Sequence, residues 1–210
     1  MNRIIKFKNA PTIIATASIG GKKEGESNLS DFIDKIVKNE YFGEKSFELA
    51  ERKMLIVVIK EVLKKSGLNE EDICAYIGGD LLDQIISTSF AAREFPFPFL
   101  GAYTACSTFG ESLLIGAVLI DGGYLESVLC ATSSHFSTAE RQYRFPLEQG
   151  TTRPAQSQWT VTGAGSCIIS NGVHGVKITS ALIGRVVDYG VKDANNMGAA
   201  MAPDIGIIGI

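Results

Sequence analysis

Residues 99–114 read FLGAYTACSTFGESLL, and the rest of the chain is read outward from them. An apolar strand predicted over Phe97 to Ala105 runs without a linker into a helix predicted from Cys106 to Asp121, stopped by Gly122-Gly123. Cys106 stands at the switch. Backbone N–H groups and the helix dipole stabilise a thiolate at such a place. The carboxyl end of a strand in an α/β sheet is also where ligands bind. By position alone, a free cysteine there reads equally well as a small buried residue.

Upstream, Thr12 to Ser18 is a strand closed by Gly20-Gly21, and residues 21–45 are polar and irregular, with a short helix predicted over Asp31 to Lys38. Phe47, Ala50, Met54, Val58 and Val62 then recur at spacings of three and four, which predicts a helix from Ser46 to Ser66. Lys64, Lys65 and Gly67 mark its C-terminal end. Ile73 to Ile77 is a strand ending at Gly78-Gly79-Asp80, and Asp83 to Glu94 is a helix.

Downstream, Glu126 to Thr132 is a strand, Ser133 to Trp159 a long polar loop, and Thr162 to Ser170 and Val176 to Ile183 are strands joined by the turn signal Asn171-Gly172. Strands alternating with helices predict a mostly parallel sheet with helices packed on it, antiparallel in part because the last strands follow one another directly. There is no internal repeat and no domain boundary.

Composition narrows the function classes. The chain has 210 residues, 45% of them hydrophobic and 20% charged, which excludes a disordered or collagen-like polymer. Twenty Lys and Arg against 23 Asp and Glu give a net charge of −3, which argues against a general nucleic-acid binder. The widely spaced Cys74, Cys106, Cys130 and Cys167 form no zinc pattern. The polar N-terminus carries no apolar signal core, and no apolar run approaches the 18–20 residues, roughly, of a membrane span. The expectation is a soluble intracellular protein.

Two further stretches carry candidate chemistry. Residues 131–141, ATSSHFSTAER, follow a strand and hold His135, one of two histidines; the polar run suits anion contacts or, equally, backbone capping. His174 reads as a surface residue. In Gly78-Gly79-Asp80-Leu-Leu-Asp83, Asp83 is placed to cap the next helix and Asp80 to face the same pocket as Cys106, with capping the reading for one of the two. Gly20-Gly21-Lys22-Lys23 fails the phosphate-loop spacing, Gly163-Ala-Gly165 lacks a third glycine, and no histidine pair has metal-ligand spacing.

A cysteine opening a helix after a β-α-β-α-β frame is similar to the N-terminal half of the thiolase fold. The segments GGDLLDQ (78–84), TACSTFGES (104–112), LIDGGYLESVLCATSSHFSTAERQYRFP (119–146), TVTGAG (160–165) and ITSALIGRVVDYG (178–190) together resemble the stage V sporulation protein AD family, from about Lys8 to Pro203. The resemblance implies an α/β fold, a mixed five-stranded sheet with layered helices in the order β-α-β-α-β-α-β-β. It implies a soluble, non-enzymatic subunit of the machinery that moves pyridine-2,6-dicarboxylic acid (dipicolinate), with calcium, into the forespore and out at germination. It further implies membrane-embedded partner subunits at the spore inner membrane and dimers formed through the sheet edge.

For a flat aromatic dianion, hydroxyl, N–H and cationic donors are wanted. Ser107, Thr108, Ser133, Ser134, His135 and Arg141 are the candidates, with Cys106 at the thiolase nucleophile position. Asp80 and Glu140 offer the oxygen ligands that calcium prefers. No resident cofactor or metal site is otherwise expected. Residues 1–203 read as one thiolase-like N-terminal domain, and 204–210, DIGIIGI, as an atypical apolar tail expected from a truncation. In thiolase-fold enzymes a second half supplies the acid–base histidine and the oxyanion-hole partner, so an acyltransferase using Cys106 is the alternative reading and an inactive truncated product the third.

Overall fold

The chain alternates between strand and helix because its apolar residues alternate between period two and period 3.6. A computed structural model describes residues 4–143, 160–185 and 187–192. The strands are β1 (Ile4–Lys6), β2 (Thr12–Gly20), β3 (Lys35–Ile36), β4 (Ala75–Asp80), β5 (Phe99–Gly101), β6 (Ser127–Ser134), β7 (Gly163–Ser170), β8 (Val176–Lys177) and β9 (Ser180–Leu182). The α-helices are α1 (Phe47–Ser66), α2 (Ile86–Ala92), α3 (Thr108–Asp121) and α4 (Phe136–Tyr143).

The expected mixed α/β architecture is present. Five strands lie side by side in the order β2-β7-β6-β4-β5, with the two-residue β3 and β8 added beside β2. β4, β5 and β6 are parallel, and β7 is antiparallel to both of its neighbours. A separate ribbon pairs β1 with β9, an element the sequence reading did not find.

Side chains alternate across the sheet as the pleat requires. Tyr76, Leu129 and Ile168 face one layer, with Met54, Leu55, Val58, Ile59 and Val62 of α1 and with Ala91 and Ala92 of α2. Ile77, Val128, Cys130, Cys167 and Ile169 face the other, against Ile120, Phe109, Leu113 and Leu119 of α3. Helix α1 starts and stops where its sequence says it should. Ser46 Oγ accepts from Leu49 N–H at 3.3 Å, and Gly67 takes the left-handed conformation at φ 74°.

Four local expectations are corrected. Over residues 31–38 there is no helix but a 3-10 turn at Ser30–Phe32 and then β3, because the Asp34 carboxylate accepts from Ser18 N–H at 2.8 Å and holds the segment extended beside β2. The predicted loop from Ser133 contains α4, and residues 144–159 lie outside the described part. Asn171-Gly172 joins no hairpin. β7 and β8 both pair with β2 and not with each other, because Gly175, at φ 133°, packs flat against β2 where a Cβ would stand 2.1 Å from the Ile13 carbonyl oxygen. Finally, Gly78, Gly79 and Asp80 continue β4 rather than end it. Gly78 has to lack a side chain, since a Cβ would stand 1.9 Å from the Ala131 carbonyl oxygen of β6. The tail at 204–210 is outside the described residues.

Candidate functional site

The carboxyl ends of β2, β4 and β6 and the start of the antiparallel β7 meet at one end of the sheet. Register partners form a row there, Asp80 beside Ser133, Ser133 beside Ala164, and Ala164 beside Ile19. A cleft of about 750 Å3 opens over this row. Ligands of open α/β sheets bind at this end.

Cys106 is exposed at the mouth of the cleft, in the 3-10 turn Ala105–Ser107 that leads β5 into α3. The junction is strained. Ala105, Asp83 and Ile85 hold φ of 46°, 65° and 45°, three of the five non-glycine positive values among the described residues. Each costs about 1–2 kcal/mol for an L side chain, and such residues gather where function demands a geometry that packing must enforce. The enforcement is visible. Asp83 Oδ1 accepts from Ala105 N–H at 3.3 Å, and Gly79 lets the junction close onto β4, since a Cβ there would lie 2.3 Å from the Ala102 carbonyl oxygen.

Asp80 takes both of the parts that the sequence suggested for the two aspartates. Helix α2 begins at Ile86, behind a left-handed Ile85 with no side-chain cap, so Asp83 does not cap it. Asp80 reaches over instead: its Oδ2 accepts from Thr88 N–H at 3.1 Å and Thr88 Oγ1–H at 2.8 Å. Asp80 also lines the cleft, as expected, and is almost fully buried, 1% exposed. Its Oδ1 has no hydrogen-bond partner, and neither has the buried Thr108 Oγ1 in the same cleft. Burial pushes the Asp80 carboxyl up from its ordinary value, opposed by Thr88 and by the nearby amides of Ile85 and Asp83.

Behind the row lies a residue that sequence reasoning missed. Glu51, in the middle of α1, is 1% exposed. It accepts from Ser133 Oγ–H at 3.0 Å and from Thr138 Oγ1–H at 2.7 Å. Burial, helped by the charge of Asp80, raises its carboxyl to about 7 against those two hydrogen bonds. A lone glutamate between apolar helix positions reads as a solvated face. The only sequence signal was that it falls between Ala50 and Met54 on the buried stripe.

The other candidates divide. Ser133 and Ser134 line the cleft, with Ser134 Oγ donating to the Val161 carbonyl at 2.6 Å. Ser107 is exposed and donates to the Thr104 carbonyl at 2.9 Å rather than lining the cleft. His135 is not brought to the cleft: its ring is fully buried, stacked on Phe47 at 4.7 Å between centroids, with Nε2 3.1 Å from the Glu40 carbonyl and Nδ1 accepting from Ser137 N–H at 3.2 Å. Glu140 and Arg141 fall in α4, but their side chains lie outside the described part. His174 is exposed, as expected.

A calcium site does not assemble from the residues described. Among them no group of three His, Cys, Asp or Glu comes together, and Asp80 Oδ2 is already taken by two protein donors. Among the described residues, no helix is long and apolar enough to cross a membrane.

Comparison with known proteins gives the chain its relatives. The family model of stage V sporulation protein AD matches residues 1–206. The stage V sporulation protein AD of Bacillus subtilis (strain 168) is 38% identical over 197 residues, which is 94% of this chain and 58% of that protein. This chain therefore spans less than two thirds of that relative's length. Among solved structures, a variant of the OleA protein of Xanthomonas campestris has a TM-score of 0.54 at 11% identity, over 79% of this chain and 57% of the other. The 3-oxoacyl-(acyl carrier protein) synthase III of Xanthomonas oryzae pv. oryzae has a TM-score of 0.50 at 13% identity, over 79% and 57%. These similarities show the thiolase-like fold.

Proposed function

The chain belongs to the stage V sporulation protein AD family, and on that premise we propose that it is a binding subunit rather than an acyltransferase, with dipicolinate as its ligand. In this reading the ligand lies in the cleft over Asp80, Ser133 and Cys106, near Ser134. It is taken up toward the forespore and released at germination in concert with membrane-embedded subunits of the same machinery, at the spore inner membrane. Copies associate along β5, the free edge of the sheet, where Leu100 is half exposed and Tyr103 follows it to the surface.

One observation supports binding over catalysis. Among the described residues no histidine reaches Cys106: His135 is buried against Phe47, and His174 is exposed and does not line the cleft, so the described part of the chain supplies no imidazole to relay a proton. Among the described residues the other polar side chains lining the cleft are hydroxyls and two carboxyls, and the hydroxyls offer the donors that a carboxylate ligand needs.

Calorimetric titration of the chain with dipicolinate and with acetyl-CoA, followed by intact mass, separates the readings. Dipicolinate binding with no mass added to Cys106 supports the binding subunit. An acyl thioester on Cys106, lost in Cys106→Ala, overturns it in favour of the acyltransferase. A chain that binds neither ligand overturns both.

A further inference from the structure

The charge of the cleft does not match a dianion. Among the described residues lining it there are two carboxylates, Glu24 and Asp80, and no lysine, arginine or histidine. Glu24 is engaged, its Oε1 accepting from Thr162 N–H at 3.1 Å. Asp80 is engaged through Oδ2 alone: it is 1% exposed, and Oδ1 has no hydrogen-bond partner, as is true of the buried Thr108 Oγ1 in the same cleft. A buried acceptor without a donor costs about 1–3 kcal/mol, and a buried carboxylate facing a second one costs more.

The elements packed around Asp80 bring it no compensating charge. Glu51 faces it from α1 as a second carboxyl, itself raised by burial and by the charge of Asp80. Helix α2 and strand β5 carry no ionisable side chain, and β6 carries only Cys130. On α3, Glu111 is bonded to Thr104 and Asp121 to Asn9. Tyr76 on its own strand donates to the Ala131 carbonyl, Asp83 is bonded to Ala105, and Cys106 is the remaining acid at the mouth. Among the described residues no group of metal ligands assembles there, and a proton is the cation that the lone Asp80 Oδ1 can take.

We propose that the cleft binds a dicarboxylate together with one proton, shared between Asp80 Oδ1 and a carboxylate oxygen of the ligand, while Thr108 Oγ1 donates a second hydrogen bond to the same group. This rests on the reading of the cleft as a dicarboxylate site. The balance is simple: the dianion and the ionised Asp80 take one proton from solvent, no covalent bond to carbon forms or breaks, and release of the ligand returns the proton. Asp80 Oδ2 stays on Thr88, which fixes Oδ1 as the oxygen that meets the ligand. Raised pKa values at Asp80 and Glu51 agree with a site that resists holding two negative charges.

The test is calorimetry with dipicolinate, in the presence of a calcium chelator, in buffers of different ionisation enthalpy. The expected result is uptake of about one proton per ligand bound, and a Kd that weakens about tenfold per pH unit between pH 7 and 9. Asp80→Asn keeps the shape and the bond from Thr88 while presenting an amide donor. It is expected to bind with no proton uptake, with a Kd flat in pH, and more tightly than the parent at pH 9. Thr108→Val is expected to weaken binding about tenfold without changing the slope. Thermal unfolding of each variant establishes that it is folded.

Binding by the parent with no proton uptake overturns this inference alone. So does a slope that survives in Asp80→Asn, a folded Asp80→Asn that no longer binds, or binding that requires calcium. A parent chain that binds no dipicolinate at any pH overturns the reading of the cleft and this inference with it.

Discussion

Two strand-to-helix junctions frame the same end of the sheet, and they are built in opposite ways. Where β6 enters α4, the buried polar side chains Ser133, His135 and Thr138 all have partners. His135 is bonded at both ring nitrogens and stacked between Phe47 and Phe136, Phe136 N–H donates to Thr162 Oγ1 at 3.1 Å, and Thr138 and Ser133 clamp Glu51. Where β5 enters α3, the backbone is left-handed at Ala105, the supporting loop is left-handed at Asp83 and Ile85, and Asp80 and Thr108 each keep an unmatched oxygen. The first junction spends its polar residues on structure. The second holds strained backbone and two buried oxygens with no hydrogen-bond partner. In the sequence the two looked alike, each a polar run after a strand, and the Cys106 junction was the more informative of them.

The comparison breaks most visibly at His135. If its junction is structural, His135→Ala empties a fully buried ring site and lowers the unfolding free energy by about 3 kcal/mol, measured by chemical denaturation, while the folded fraction binds dipicolinate with unchanged Kd. A stable variant that has lost binding would reverse the roles of the two junctions.

Glu51 tests the same side through pH. Its carboxyl sits at about 7 in the folded protein and at an ordinary 4.5 when unfolded. The folded state therefore holds the proton longer, and the stability present below pH 4.5 is lost as pH rises through 7, by roughly 3 kcal/mol in all. Denaturation curves at pH 5 and pH 8 are expected to show this fall in the parent and a much shallower one in Glu51→Gln, whose amide oxygen and nitrogen keep the Ser133 and Thr138 contacts. Equal slopes in parent and variant would mean that Glu51 is not the titrating group.

The smallest effect belongs to the strained side. Ala105→Gly relieves a positive φ and is expected to raise the unfolding free energy by about 1 kcal/mol, opposite in sign to most substitutions. It also loosens the position of Cys106, so binding is expected to weaken slightly as stability rises. A loss of stability would mean that the left-handed turn at Ala105 costs nothing.

Much of the fold was legible because its signals are local. Ser46, Lys65 and Gly67 bracket α1 within their own stretch of chain, and Phe99 to Leu114 carries its strand-to-helix change in sixteen consecutive letters. The misreadings share another cause, which is partners far away in sequence. Helix α4 is only eight residues long, and the hydroxyl that bonds its first N–H comes from Thr162. Asp34 straightens residues 35–36 through Ser18 and Lys65. Asp80 caps α2 from the end of a strand, leaving Asp83 free to steady Ala105. The site was legible at Cys106, Asp80, Ser133 and Ser134. Glu51 was not, because a glutamate on a helix shows its burial only once the sheet beneath it is in place.

The position of β7 has a consequence for how the chain comes off the ribosome. It fills the gap between β2 and β6, pairing Thr12 with Ser170 and Ser127 with Ser170 at one end. When the first 143 residues have been synthesised, β2 and the parallel group β4-β5-β6 have no strand between them to pair their facing edges. Until residues 163–170 emerge no strand hydrogen-bonds one to the other, and only α1, which packs against both, spans them. Closure then depends on contacts made across some 150 positions of chain, a topology that folds slowly and leaves edges exposed to other chains in the interval. The nascent protein is therefore expected to need shielding late in translation, in the window just before its central strand appears.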